Sequence, residues 1–347
     1  MKRRLQKILR PQITVLIWFC LVLLLSWQWA NVLERPAVAN LGPPIEAAGD
    51  EPIEPIPLQV KLDPEKVALG RQLFHEPQLS HDNSVSCASC HDLNKAGTDQ
   101  RTRSIGINGQ EGFVNSPTVF NNSFHFKQFW DGRAESLEEQ IDGPIHAEHE
   151  MGSSWPEITE KLKQSSDYLN QFEQLYAEGI SEASIKDAIA TFEQSLYTPN
   201  ARFDQFLRGD ANALTPEEKE GYRRFKAYGC VSCHQGILLG GNMFQKFGVF
   251  GDYFQERGDI EVADYGRFNV TGEEQDRFVF KVPSLRNVSL TSPYFHDGSA
   301  KTLDQAIKVM IKHQLGREVA QRDIDLIIQF LTTLTGDLEG ISQGISQ

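Results

Sequence analysis

Four of the five cysteines fall into two short motifs, Cys87-Ala-Ser-Cys90-His91 and Cys230-Val-Ser-Cys233-His234. In each, two thiols three residues apart are followed at once by an imidazole. Such thiols can add to the two vinyl groups of one porphyrin, and the adjacent His then offers a ring nitrogen to iron from the same side, the arrangement of c-type haem attachment. A redox dithiol does not need the trailing His and seldom occurs twice. Zinc would require the two Cys-x-x-Cys pairs to converge on one ion, but they lie 143 residues apart, each in its own helical surroundings. The spacing therefore predicts two covalent c-type haems, held by Cys87, Cys90, Cys230 and Cys233, with His91 and His234 as iron ligands. Cys20, in an apolar run, is expected to be inert.

What each haem can do depends on its opposite axial position. A haem that only carries electrons keeps both positions filled, whereas one that activates peroxide leaves one open beneath polar groups that move protons. For the second haem the candidate is Met310, which shares a helix face with Ala306, Ile307 and Ile311. Thr302-Leu303-Asp304-Gln305 is the capping box that opens this helix. Taken alone, Met310 reads as a flexible core filler. A thioether 76 residues after His234, on a late helix, is nevertheless the usual way for such a domain to complete a six-coordinate iron. Methionine ligation raises the potential and makes that haem an electron reservoir. For the first haem, no His or Met occurs from Asp92 through Phe124. The polar stretch beyond, Phe129 to Gly152, reads from spacing alone as a capped helix with solvated acids, Ser136 and Glu139 making the box.

The elements around both motifs carry a helical period. Asp63-Pro64 is an N-cap with proline at the first helical position, and Thr215-Pro216-Glu217-Glu218 adds a capping box to the same proline. Ser181 opens a helix with the stripe Ile185, Ala188, Ile189, Phe192 and Leu196. A last helix carries Ile324, Ile327, Ile328, Leu331 and Leu334, with Gly336 placed to end it. Phe278-Val279-Phe280 is a short strand candidate. A chain of 347 residues, 40% hydrophobic and 23% charged, is ordinary globular composition with room for two domains. The fold class expected is mainly α: two cytochrome c-type domains, residues 59–200 and 201–340, each around one haem and joined near Tyr197-Thr198-Pro199-Asn200, with a tail at 341–347.

Ahead of them, a basic start (Met1 to Arg10), an apolar run (Ile13 to Ala30) and Ala37-Val38-Ala39 make residues 1–39 an export segment. The run is long for a cleaved signal and barely long enough to span a bilayer, so a retained anchor is the second reading; a buried core helix is disfavoured by the basic flank. Either places the remainder in the periplasm. Residues 40–58, rich in proline and acids, read as a linker without a core of its own. Net charge is −13 overall, but the first 39 residues carry +5, leaving −18 on the exported part. That balance excludes nucleic acid as a partner and favours a basic protein partner.

With both motifs and the segment after Phe129 in view, the chain resembles the bacterial dihaem cytochrome c peroxidases from about Leu69 to Gly336. The matching blocks are Leu69-Gly70-Arg71-Gln72-Leu73-Phe74, Gly97-Thr98-Asp99, Asn115-Ser116-Pro117-Thr118, Phe129-Trp130-Asp131-Gly132-Arg133-Ala134, Pro199-Asn200-Ala201-Arg202-Phe203-Asp204, Pro283-Ser284-Leu285-Arg286-Asn287 and Pro293-Tyr294-Phe295-His296-Asp297-Gly298. The resemblance implies reduction of hydrogen peroxide to water with electrons from a small donor protein, a cytochrome c or a cupredoxin. It implies that Glu150 accepts and returns the peroxide proton while Gln140 orients the oxygens, and that Trp130 conducts electrons between the haems. It also implies calcium held by the Asn115 side chain and the carbonyls of Thr291 and Pro293, a propionate contact from Arg286, and dimerisation, which is common in the family.

One departure stands out. Many members carry a His sixteen residues after the first proximal His, which blocks the resting iron until the second haem is reduced; here that position is Ile107. The first haem is therefore expected to be open even when both irons are ferric, unless His125, His146 or His149 substitutes. Two rivals remain: a dihaem electron carrier without turnover, and a dihaem oxidase that matures a protein-derived cofactor, where the family's relatives place Tyr at the Met310 position.

Overall fold

The computed structural model describes residues 51–338. The export segment, Cys20, the start of the linker and the tail at 341–347 lie outside them. Among the described residues, no helix is long and apolar enough to cross a membrane.

The longer helices are α1 (Pro64–Phe74), α2 (Leu137–His146), α3 (Trp155–Leu162), α4 (Ser166–Leu175), α5 (Glu182–Ser195), α6 (Pro216–Ala227), α7 (Leu303–Val309) and α8 (Gln321–Thr332). Strands are confined to β1 (Phe244–Lys246) and β2 (Val279–Lys281), an antiparallel pair with Gln245 opposite Phe280. The fold is thus mainly helical, with the strand expected at 278–280 found one residue on.

Local chemistry accounts for the helix starts. The Asp63 carboxylate accepts from the amides of Glu65 and Lys66, and Ser181 and Thr215 close full capping boxes. The boxes expected at Ser136 and Thr302 are only half made. Each hydroxyl accepts from its N3 amide, but the Glu139 and Gln305 side chains take the amides of Glu135 and Lys301, one residue earlier. Gly336 is also not a helix terminator, because α8 stops at Thr332. A Cβ at Gly336 would sit 2.2 Å from the Thr198 carbonyl oxygen, so the glycine permits a close chain approach.

Two apolar cores follow. One gathers Leu69, Leu73, Ile141, Ile158, Phe172, Ile185 and Ile189; the other gathers Phe203, Tyr222, Phe225, Ile327, Phe330 and Leu334. In each, two helices cross at a glycine. A Cβ on Gly70 of α1 would meet the Ala188 carbonyl of α5 at 1.8 Å, and one on Gly221 of α6 would meet the Leu326 carbonyl of α8 at 2.0 Å.

Residues 51–58, read as linker, are docked rather than free. Ile53 and Ile56 are fully buried, Ile53 in the second core. The Glu54 and Ile56 carbonyls accept from Arg286 and Arg208. Two isoleucines among the acids and prolines suffice to anchor the strap.

Candidate functional site

Both Cys-x-x-Cys-His motifs sit on a single tight turn, so that the histidine amide returns to the first cysteine: His91 N–H donates to Cys87 O and His234 N–H to Cys230 O, each at 3.0 Å. The side chains repeat the symmetry. His91 Nδ1 lies 3.3 Å from Gly97 O, and His234 Nδ1 lies 3.0 Å from Leu239 O. A carbonyl only accepts, so Nδ1 carries the proton in both rings and Nε2 carries the lone pair, the tautomer of an orienting ligand shell. Burial depresses both imidazoles and keeps them neutral. Burial pushes Cys87 and Cys230 up to about 12 and Cys90 up to about 11. Neutral paired thiols beside a preset imidazole fit covalent haem.

The chain from Pro117 to Pro144 recurs 166 positions on. Phe129-Trp130-Asp131-Gly132 answers to Phe295-His296-Asp297-Gly298. Phe129 and Phe295 share a left-handed φ of 68° and 70°, and bridges pair Gln128 with Ala134 and Tyr294 with Ala300. Asn121 and Asn287 are both left-handed, at 64° and 58°. The caps Ser136 and Thr302 then open α2 and α7. In this register Met310, in the π-helical turn Met310–Gln314 that follows α7, corresponds to Pro144 inside α2. Proline offers no ligating side-chain atom.

The polar groups of the first half lie on that helix and on the turn after it. Gln140 is on α2, partly buried, and Glu150 is on the turn beyond it. The Glu150 charge reaches Cys90, which places it on the first motif's side. Burial raises the Glu150 carboxyl, opposed by His149 and Arg133. Ile107 is buried: its amide donates to Glu150 O at 2.8 Å, and its Cδ1 would lie 2.5 Å from a Cβ on Gly152. Of the three histidines named as substitutes, His146 is exposed against Trp155. His149 Nε2 faces Glu150 Oε1 at 3.5 Å. His125 Nδ1 accepts from Lys281 Nζ at 2.9 Å.

Trp130 stands where the two repeats meet. Its Nε1 donates to Asn115 O at 2.9 Å, and its ring meets His296 edge-on at 6.4 Å. The repeat exchanges backbone bonds here: Lys281 N–H donates to Trp130 O at 2.9 Å, and Asn115 N–H donates to His296 O at 2.7 Å. The second bond draws the 291–296 segment to Asn115, whose amide nitrogen donates to Arg101 O, leaving the amide oxygen as the atom a cation would use. Amide and carbonyl oxygens are donors suited to calcium. Arg286, by contrast, spends its guanidinium on Asp204, Ile237 O and Glu54 O.

Several buried groups escaped the sequence reading. Asp264 accepts from His296 and Arg257, and Arg257 also binds Asp297. These acids and His296 have metal-site spacing, but the guanidinium already bridges both carboxylates. Glu193, with Oε2 unpartnered, is pushed up to about 8 by burial and lies in electrostatic reach of Cys87. The 166-residue repeat was the available signal for His296; nothing local announced Glu193 or Lys281.

Comparison with known proteins follows the same outline. A family model for di-haem cytochrome c peroxidases matches residues 64–212. The cytochrome c peroxidase Ccp of Escherichia coli is 50% identical over 83% of this chain and 62% of its own length, so this chain spans less than two thirds of that relative. The cytochrome c551 peroxidase of Nitrosomonas europaea is 47% identical over 84% of this chain and 86% of its own. A solved MauG-like protein associated with microbial copper homeostasis superposes with a TM-score of 0.71 at 28% identity, covering 87% of this chain and 96% of that one.

Proposed function

The chain belongs to the di-haem cytochrome c peroxidase family, and on that premise we propose that it reduces hydrogen peroxide to water in the periplasm with electrons from a small redox protein. The observation that carries this reading is the repeat that sets Pro144 against Met310. One module carries a thioether at this position; its twin carries a proline, which offers no ligating atom there.

In this reading residues 59–200 form the peroxidatic domain and residues 201–340 the electron-accepting one, behind an N-terminal export segment that is cleaved or retained as an anchor. Cys87, Cys90 and His91 would hold the first haem, and Cys230, Cys233, His234 and Met310 the second. The haems supply the two reducing equivalents that one O–O bond consumes.

The protein supplies protons, orientation and a path. Glu150 accepts the proton of the bound peroxide oxygen and returns it to the departing one, general acid–base assistance worth about 10²–10⁴ in rate. Burial raises its carboxyl, bringing it toward the working range of an acid. Gln140 offers an amide to align the two oxygens. Trp130 relays electrons across the junction, its indole N–H fixed on Asn115 O. Asn115 with the Thr291 and Pro293 carbonyls would hold calcium, which would stiffen that junction. Ile107 lets the first site work without prior reduction, because its side chain packs on the Gly152 turn and cannot ligate iron.

The test is a peroxide titration of fully ferric holoprotein with a reduced cytochrome c. Donor oxidation without a reductive lag is expected; no oxidation, with both irons six-coordinate, would make the protein an electron carrier. The dihaem oxidase reading is disfavoured by Met310, where a Tyr would be expected.

A further inference from the structure

We propose that Glu193 is a proton-uptake site coupled to the first haem, so that an electron delivered to that iron draws a proton onto this carboxyl. The inference rests on the reading that Cys87, Cys90 and His91 hold a haem, and not on peroxide turnover. Glu193 lies on α5 and is only 5% exposed, yet its Oε2 has no hydrogen-bond partner. A buried carboxyl without a donor is costly as an anion. Burial, with the Glu138 charge adding to it, pushes this one up to about 8. Its charge reaches Cys87, the first attachment thiol.

The second module shows what packing alone asks for at this place. A Cβ on Gly70 would meet Ala188 O at 1.8 Å and Phe192 Cβ at 2.8 Å; one on Gly221 would meet Leu326 O at 2.0 Å and Phe330 Cβ at 3.0 Å. The two helix crossings therefore correspond, with α8 running 138 positions after α5, and Glu193 answers to Leu331. Leu331 is 3% exposed, in an apolar core against which Cys230 packs. Cys87 packs likewise against the core that holds Phe192. Both modules bury this helix position, and hydrocarbon fills it in one. The carboxyl that replaces it in the other costs stability and belongs to the first module alone.

The charge that acts on Glu193 is Glu138 of α2, which has the same sign. Lys66 of α1 binds Asp187, Lys186 binds Asp142 of α2, and Lys161 of α3 binds Glu157. In such an interior the loss of one positive charge from the iron is felt by the carboxyl, and binding a proton compensates it. The donor protein supplies the electron and solvent the proton; the carboxylate becomes a carboxylic acid, and the net charge of the pocket is unchanged. The carboxylate favours the ferric state. The first-haem potential should therefore be level at acid pH, where the acid form persists in both redox states, and fall as pH rises through about 8.

The test is a spectroelectrochemical titration of both haems across pH in holoprotein: wild type, Glu193→Gln, and Glu193→Leu, which copies the second module. Both variants are expected to match wild type at acid pH. Above about pH 8 their first-haem reduction equilibrium should be more favourable by roughly tenfold, the scale of one buried charge, or about 59 mV for one electron. The second haem should not move. Redox-difference infrared spectroscopy of wild type should show a protonated carboxyl appearing on reduction, and Glu193→Gln should lack it. Variants whose first-haem potential follows the wild-type pH curve overturn the proposal, and so does a wild-type protein without the carboxyl signal. A displacement equal at every pH marks a repacked pocket and overturns it too. Absence of peroxide turnover with these shifts intact would remove the peroxidase reading and leave the proton site standing. A first motif that carries no haem would remove both.

Discussion

Glu150→Gln is the perturbation that isolates proton transfer from everything else this segment does. The Glu150 backbone is fixed independently of its side chain, its amide donating to Ala147 O at 2.9 Å and its carbonyl accepting from Ile107 at 2.8 Å. Glutamine keeps the shape and the hydrogen-bonding oxygen but has no proton to give. The native carboxyl is raised by burial and held back by His149 and Arg133. Because the acid form persists to higher pH than in a free glutamate, wild-type activity should carry a limb that titrates with this group, and the variant should lose that limb. Losing a general acid–base of this kind costs about 10²–10⁴ in rate, which is about 3–5 kcal/mol of transition-state stabilisation at 1.36 kcal/mol per tenfold. The assay is peroxide-dependent oxidation of reduced cytochrome c, read as kcat/KM for peroxide across pH, with the haem spectrum as a control for folding. A loss smaller than about threefold, or an unaltered pH profile, would remove Glu150 from the proton pathway.

Further outcomes follow from other parts of the fold. Ile107→His should convert the high-spin ferric resonance of the first haem to low-spin and impose a reductive lag on turnover, read by electron paramagnetic resonance and stopped flow. Gly70→Ala and Gly221→Ala each drive a methyl into a facing carbonyl, so each should lower stability by about 1–3 kcal/mol in denaturant titration. Burial pushes Lys281 down to about 7 from the ordinary 10.5, with Asp131 the opposing charge. Between those values the unfolded chain holds the proton and the folded one does not, so this group makes stability rise with pH and imposes its full cost below about 7. Lys281→Met should flatten that slope and raise Tm most at acid pH, as measured by a Tm series over pH.

Legibility in the sequence tracked the range of the interactions. Helix starts at Asp63, Ser181 and Thr215 depend on side chains reaching two or three residues along the chain, and they were readable. The boxes at Ser136 and Thr302 were half right because the choice between two adjacent amides is set by how the chain enters the helix. Gly336 was misread for a tertiary reason, its approach to Thr198 from across the fold. The two Cys-x-x-Cys-His motifs were legible because covalent attachment of a haem demands adjacent residues. Pairs such as Lys281 with His125 and Phe113 with His149 bring together residues far apart in the chain, and no local period marks them.

The repeat also bears on how two modules with a shared frame would divide labour. Both keep the turn that presets the imidazole, both keep the left-handed phenylalanine and the capped helix after it, and both contribute a backbone bond to the other at the junction. Those features position a haem and say nothing about its chemistry. The proposed division rests on single positions of that shared frame: methionine or proline after the cap, tryptophan or histidine at the contact, and an acid-bearing turn that follows α2. On the proposed reading Glu150, whose carbonyl is tied to the loop that carries Ile107, supplies the proton-moving carboxylate on the side where proline stands in place of methionine.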